Sequence, residues 1–433
     1  MTVLKAGLSQ ALALALTLAL GTVSPAAATE QRQSEGEVRN VVLVGNNWDG
    51  TATVLAPGTF RRLGRIDVIP DREEREMEIA TNPERLAYFL AIRELIGEGH
   101  NQYVDDLYSS NDGELMIVSR PSYADVVAIR LETGEIAWRF PVAGQRADHM
   151  AISPDGRRVV VSASTANVVH VLRVRDGREL GSFPSGGSPH ESVFLDGGRR
   201  ILHASIGFVY TPLDREVADP AKGERVFQLV DASTYEVLRR YDLRTELDRL
   251  GREGMSTAVR PMTLSPDERK VYFQVSFFHG FLKMDLRSGR INRIQRLPDL
   301  IPGTPREQYL LDSAHHGIAM NPRGTKLCVA GTMSDYATVV DVRTWRRGRL
   351  LKHQDGKPYW VTQSEDGRHC YISWSGTDEV TKISYRTGRV VDTVAVGDHP
   401  QRIRNAFVRR DWVAGLPDHR PADDVQAFPL PLP

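Results

Sequence analysis

The sequence predicts an all-β fold: a seven-bladed β-propeller of four-stranded blades, closed by pairing of its N- and C-terminal strands and carrying a short helical insertion. Three observations predict it. A strand-and-turn unit recurs with a period near 42 residues. The longer steps of that repeat equal the period plus an inserted loop. The two chain ends supply complementary parts of one further blade.

The cleanest unit starts at Ala151 and reads AISPDG, RRVVVSAST, NVVHVLRVRDG and RELGSFPSG. Each piece is a short strand ended by a turn signal: Pro154-Asp155-Gly156, then Ser164 to Asn167, then Arg175-Asp176-Gly177. The residue opening the first turn recurs as Ser110, Ser153, Leu195, Ser265, Asn321 and Ser364, in steps of 43, 42, 70, 56 and 43 residues. That gives six blades. The seventh begins with Asn40 to Gly45 as a second strand, Thr51 to Ala56 as a third and Arg61 to Val68 as a fourth. Its missing first strand is Gln401-Arg402-Ile403-Arg404 at the other end of the chain. Counting this composite blade as blade one, the propeller spans residues 39–410, preceded by a flexible segment 29–38 and followed by a tail 411–433.

The segments AISPDGRRVVVSAS (Ala151 to Ser164), IAMNPRGTKLCVAG (Ile318 to Gly331) and VGDHPQRI (Val396 to Ile403) resemble the seven-bladed YVTN or lactonase-like repeat propellers. That group is itself similar to the quinoprotein amine dehydrogenase β-chain. The resemblance covers nearly all of the chain after residue 38 and implies the fold. It does not select a function, because such propellers host enzymes, carriers and scaffolds alike. The Tyr-Val-Thr-Asn tetrapeptide is absent.

The N-terminus reads as a secretory signal peptide over residues 1–28: one Lys, the apolar run Ala11 to Leu20, then Ala26-Ala27-Ala28 as a cleavage site. No later run is long enough to span a bilayer, so a secreted or extracytoplasmic bacterial protein without a membrane span is expected. Basic and acidic residues balance at 55 each, which argues against a nucleic-acid partner. A monomer with a small-molecule or other extracellular ligand is the expectation. Cys328 and Cys370 lie in second strands of neighbouring blades, one position out of phase. They either face each other across the blade interface or both face away, and the sequence leaves both arrangements open.

The inserted sequence is biased to one face. Ile69 to Gln102, with helical spacing from Pro83 to Ile92, separates blades one and two. Gly207 to Glu224 lengthens blade four, and Leu243 to Val259 and Leu297 to Leu311 lengthen two inter-blade links. All belong to the face where first strands leave the central channel, so a lid or pocket wall is expected there. Five residues before each anchor stand Asp105, Asp148, His190, Arg260, His316 and Tyr359, joined by Gln401 in the closing strand. The next positions include His149, Glu191, Trp360 and Arg402, and His100, His279, His315, Asp335, Tyr336 and His399 occupy loops of that face.

Two functions fit this ring. In the first, the face binds a small molecule, glycan or protein through Asp105, His149, Glu191, His279, Trp360, Gln401 and Arg402. In the second it is a lyase, isomerase or lactone hydrolase. His190 or His316 then acts as base, Asp148 or Glu191 orients it, Arg260 stabilises charge and Tyr359 donates a proton. A divalent metal (Zn, Cu or Ca) could be held by His190, His316 and His149 or His279, with Asp105 or Asp148 as oxygen ligands, although no HxH or HExxH spacing is present. The chain has no CxxCH motif and two cysteines, which excludes attached haem c and an iron–sulfur cluster.

Overall fold

The computed structural model of the protein describes residues 38–209, 213–422 and 425–428. The expected signal peptide, and all but the last residue of the expected N-terminal segment, lie outside the described residues. Seven antiparallel sheets follow one another, each built from four successive strands, which makes the chain a seven-bladed β-propeller. Blade one is the composite one: strand Pro400–Arg409 pairs with Val38–Asn46, which is followed by Thr51–Leu55 and Arg62–Asp67. The closing strand is longer than the expected 401–404, running in register from Val38 opposite Arg409 to Val44 opposite Ile403. Only blade six departs from the pattern, its outer strand being split into Arg346–Arg347 and Leu351–Lys352.

The repeat anchor has a structural cause. The side chain that opens the first hairpin accepts the backbone N–H five residues on: Leu115 N to Ser110 Oγ (3.0 Å), Arg158 N to Ser153 Oγ (3.0 Å), Lys270 N to Ser265 Oγ (2.9 Å), Lys326 N to Asn321 Oδ1 (2.9 Å) and His369 N to Ser364 Oγ (3.0 Å). These are local side-chain locks that turn residues provide and apolar ones cannot. The second strands explain the VVV runs. Val159 and Val161 pack with Ile117 and Val126 of blade two, whereas Val160 packs with Ile201 and Phe194 of blade four. A strand buried on both faces reads as a continuous apolar run rather than an alternation.

The insertion between blades one and two forms two helices, α1 (Arg72–Ala80) and α2 (Pro83–Leu95). Asn82 caps α2 by accepting from Glu84 N and Arg85 N, and Pro83 occupies its first turn. Six of the nine residues of helix α1 are charged, so it escapes the apolar-periodicity test. It is anchored by Ile79 in the core and by buried polar bonds, Tyr123 Oη and Tyr103 Oη donating to Glu76 at 3.1 and 3.3 Å. A third helix, α3 (Leu243–Arg249), stands in the insertion after blade four, capped by Asp242. Among the described residues no helix is long and apolar enough to cross a membrane.

Cys328 and Cys370 form a disulfide across the interface of blades six and seven, with Cα atoms 6.5 Å apart. Ordinary sheet packing would hold them near 10 Å. The bridge shares its core cluster with Ala319, Ala330 and Ala337, whose small side chains are compatible with a closer approach of the blades. The bridge closes a 42-residue segment, so reduction or a Cys328→Ser/Cys370→Ser double variant is expected to lower unfolding free energy by about 2–4 kcal/mol. Mass spectrometry with and without reductant, followed by urea denaturation, checks this.

Ring closure also carries a titratable group. His399 is buried in the link before the closing strand, stacked on Trp48 at 3.8 Å between ring centroids, and its carbonyl accepts from Asn47 N. Burial, then Lys357 and His100, pushes its pKa from 6.5 down to about 3. In acid the unfolded chain therefore takes up a proton that the folded one refuses, and stability falls as pH drops from about 6.5 towards 3. His399→Asn, which tolerates the left-handed backbone at φ 53°, should flatten that acid limb in urea titrations at pH 7, 6 and 5. An unchanged pH slope would remove His399 as its source.

Candidate functional site

The innermost strands are interrupted where they reach the channel. The ladder shifts register between Ala147 and Met150, Pro189 and Ser192, Val259 and Met262, and Pro358 and Val361. The closing strand slips in the same way opposite Val44 and Asn46. The residues inside these breaks are the expected ring pairs: Asp148 and His149, His190 and Glu191, Arg260 and Pro261, Tyr359 and Trp360, Gln401 and Arg402. Consecutive residues of a regular strand point to opposite faces, and a bulge releases that rule. Asp148 and His149 can therefore both reach the channel.

Side chains of the preceding blade catch the freed backbone. Ser162 Oγ donates to His190 O (2.9 Å), Ser373 Oγ to Gln401 O (2.9 Å), and Gln274 both receives from Gly317 N (2.8 Å) and donates to Gly317 O (3.2 Å). Gly317 has φ 135°, and a Cβ there would lie 2.8 Å from Tyr359 O. Neither the backbone angle nor the space admits a side chain.

Asp105, Asp148, His190, Arg260, Tyr359 and Gln401, six of the seven ring positions, line one cavity of about 40 Å³, together with Gln102, Arg146 and His149. Its remaining lining is apolar: Ile96, Ile206, Val209 and Leu311. Ile96, Val209 and Leu311 come from three of the four insertions. The seventh ring residue, His316, stacks its ring on Tyr359 at 3.9 Å.

Three histidines from different blades converge here. His149, His190 and His316 are buried, and one ring nitrogen of each lies within 4.8 Å of the others. Each has its Nδ1 engaged from behind: Glu191 Oε2 at 2.6 Å from His149, Asp148 Oδ2 at 3.4 Å from His190, and Tyr359 O at 3.2 Å from His316. A carbonyl only accepts, so His316 Nδ1 carries the proton and Nε2 is the bare nitrogen. The Asp148 carboxylate imposes the same tautomer on His190. Both Nε2 atoms lack a hydrogen-bond partner among the described residues. His149 Nε2 lies 3.7 Å from Asp148 Oδ1 and 3.9 Å from Asp105 Oδ2.

Burial dominates the electrostatics. It pushes His149 and His316 well below the usual imidazole range, with the Arg402 charge adding to the effect, and takes His190 down to about 4 despite Asp148. All three are neutral at pH 7 and can offer a lone pair. Burial would raise Asp148, but Arg146 at 2.8 Å and His190 hold its carboxyl well below the ordinary value. Asp105 is pushed up to about 7 by burial and by Asp148, and Glu191 to about 7 by burial. Burial also raises Tyr359.

Other expected site residues lie elsewhere. Trp360 is covered by Arg402, whose guanidinium carbon sits 3.8 Å above its ring, and its Nε1 donates to Thr362. His279 bonds Tyr309 Oη through Nε2 (3.1 Å) and faces His315, which in turn meets Tyr336 Oη at 3.0 Å. His315 and His316 thus point apart, as adjacent residues of an extended segment do. His100 stacks on Trp48. Asp335 accepts from Lys357 N at 2.9 Å. The repeat phase passes over two polar lining residues, Gln102 and, in blade three, Arg146. Arg146 stands two positions before Asp148, and that even spacing is its sequence signal.

No protein-family model and no curated protein sequence matches the chain. Among solved structures it is similar to hydrazine synthase of Kuenenia stuttgartiensis, with a TM-score of 0.52 and 16% identity over 69% of this chain and 88% of that one. The likeness is one of fold.

The bulge locks give a direct test of how the ring is positioned. Gln274→Leu strands the buried Gly317 N–H, while Gly317 O keeps its bond from Ala330 N, and is expected to cost about 1–3 kcal/mol. Urea denaturation measures it, and a loss under 0.5 kcal/mol (roughly the scatter of neutral surface changes) would show that Gly317 needs no such lock.

Proposed function

We propose that this protein is an extracytoplasmic metalloenzyme in which His149, His190 and His316 bind a divalent transition metal at the channel mouth and present it to a small molecule. The convergence of three buried, neutral imidazoles, two of them (His190 and His316) with a bare Nε2, carries this reading. Metal-binding histidines characteristically donate their other ring nitrogen to a carboxylate or carbonyl, which is what Glu191, Asp148 and Tyr359 O provide. Three protein ligands leave coordination positions free, the pattern of catalytic rather than structural sites. An all-imidazole donor set suits Zn²⁺ or Cu²⁺ and is a poor match to Ca²⁺, which takes oxygen ligands.

The size of the cavity supports a small ligand over a glycan or protein. Drug-sized pockets run to several hundred Å³, against about 40 Å³ here. Asp105, beside His149 and without a hydrogen-bond partner for Oδ2, is placed to take or give a proton near the metal. Arg260, also in the wall, is placed to stabilise negative charge. Hydrolysis or a lyase reaction fits this set. The disulfide is compatible with an extracytoplasmic location.

Metal content tests the proposal. Purified protein refolded with excess Zn²⁺ or Cu²⁺ and desalted should retain one equivalent by elemental analysis. His190→Ala and His316→Ala should each reduce retention by tenfold or more while far-UV circular dichroism stays unchanged. Folded wild type without bound metal after this treatment would overturn the reading.

A further inference from the structure

Two buried guanidinium groups beside the triad have more donors than the protein has acceptors for them. Arg260, 2% exposed, spends Nε on Ser276 Oγ at 2.9 Å. Its Nη2 has no hydrogen-bond partner among the described residues, and the Asp312 carboxylate lies 3.9 Å away. Arg402, fully buried, gives Nε to Asp105 O at 3.1 Å and leaves Nη1 and Nη2 without hydrogen-bond partners, with Asp105 Oδ2 3.6 Å off. An unmet buried donor costs about 1–3 kcal/mol, more when charged. Such groups are tolerated where a ligand supplies the acceptor.

Apart from Asp105, which lies 3.6 Å from Arg402, the surrounding carboxylates are engaged elsewhere. Asp148 is already paired with Arg146 at 2.8 Å, and Glu191 faces His149. Asp312 is bonded to Lys222 Nζ at 3.0 Å. The apolar part of the lining is Ile96, Ile206, Val209 and Leu311. The cavity therefore combines the unmet Arg260 donor with apolar side chains. At about 10–15 Å³ of probe volume per water-sized group, it holds about three such groups.

We propose that the ligand of this cavity is a short-chain carboxylate of the size of formate or acetate, its head group held by Arg260 and its alkyl end against the lid. The inference rests on reading the cavity as the ligand site. Guanidinium groups match planar oxyanions with paired N–H donors, and the fit is lost with a neutral amide of the same shape. Arg402 reinforces the field from behind Asp105. Inorganic phosphate, larger and tetrahedral, should be excluded by volume.

The test is run first on metal-free full-length protein, so that failure of the metal reading does not obscure it. Acetate, titrated at constant ionic strength against chloride, should raise the melting temperature saturably, whereas acetamide and inorganic phosphate should not. Arg260→Gln should weaken the acetate effect at least tenfold, and Arg260→Lys should recover part of it. Ile96→Phe, which fills the cavity from the lid side without touching a charge, should abolish it and guards against a misfolded Arg260 variant. Repeating the titration on Co²⁺-loaded protein should show acetate shifting the visible absorption bands. Acetate acting no more strongly than acetamide, or equally on wild type and Arg260→Gln, would overturn the carboxylate assignment while leaving the metal site standing. Absent Co²⁺ binding with an intact acetate response would do the reverse.

Discussion

The channel mouth depends on one constraint: the innermost strand of the blade is interrupted at the point where it delivers its functional residues. A regular strand would aim one residue of each pair at the channel and bury the other between blades. The register breaks at 148–149, 190–191, 260–261, 359–360 and 401–402 permit pairs such as Asp148 and His149 to work on the same site. A broken ladder frees backbone polar groups in a buried place, and these must be met. Ser162, Gln274 and Ser373, each from the second strand of the preceding blade, meet them. The ring of functional groups is thus stitched blade to blade, and the closing strand is as necessary to it as any other, since Ser373 bonds the carbonyl of Gln401.

From that scaffold the electrostatics follow. Seven inner strands crowd polar side chains into a space with little water, and desolvation decides which charges survive. Imidazoles become neutral, Asp105 and Glu191 rise towards neutrality, and Asp148 stays ionised only because Arg146 and His190 face it. The result is a division of labour among carboxyls of the same chemistry. Asp148 is fixed as an anion that orients His190, while Asp105 retains an oxygen without a partner beside His149.

Much of this was legible in the sequence, and for physical reasons. The blade count came from turn residues whose side chains lock the hairpins, so their chemistry had to recur at the structural period. The seven ring positions followed from counting back along strands of fixed rise, and six of them line the cavity. The three histidines stood among the candidate metal ligands, but their convergence was not legible. His149, His190 and His316 sit in different blades with no short spacing to betray them, and the bulges that bring His149 into play leave no mark on the residue pattern. Phase alone placed His279 and Trp360 on the working face. It could not show that Tyr309 and His315 engage the first, or that Arg402 covers the second. Helix α1 stayed hidden because it buries Arg75, Glu76 and a single core residue, Ile79, rather than an apolar stripe.

The lid explains why the cavity is small. Leu311 reaches it from a segment held in left-handed backbone at Leu311 and Asp312, φ 45° and 62°, a conformation that non-glycine residues keep only when their surroundings enforce it. The enforcement is a buried ionic network. Lys222 joins Asp214 and Asp312, and Arg306 grips Asp219 at 2.7 Å, tying the insertion in blade four to the one before blade six. On the opposite side Arg120 joins Asp71 at the start of α1 to Asp125 of blade two. Breaking one partner of a buried ion pair leaves a charge stranded at a cost of several kcal/mol. Walls fixed in this way select by fit rather than by closing over whatever enters. On the proposed reading, the three insertions that line the cavity act as a size filter beside Arg260, and discrimination among anions follows from volume before any chemistry begins.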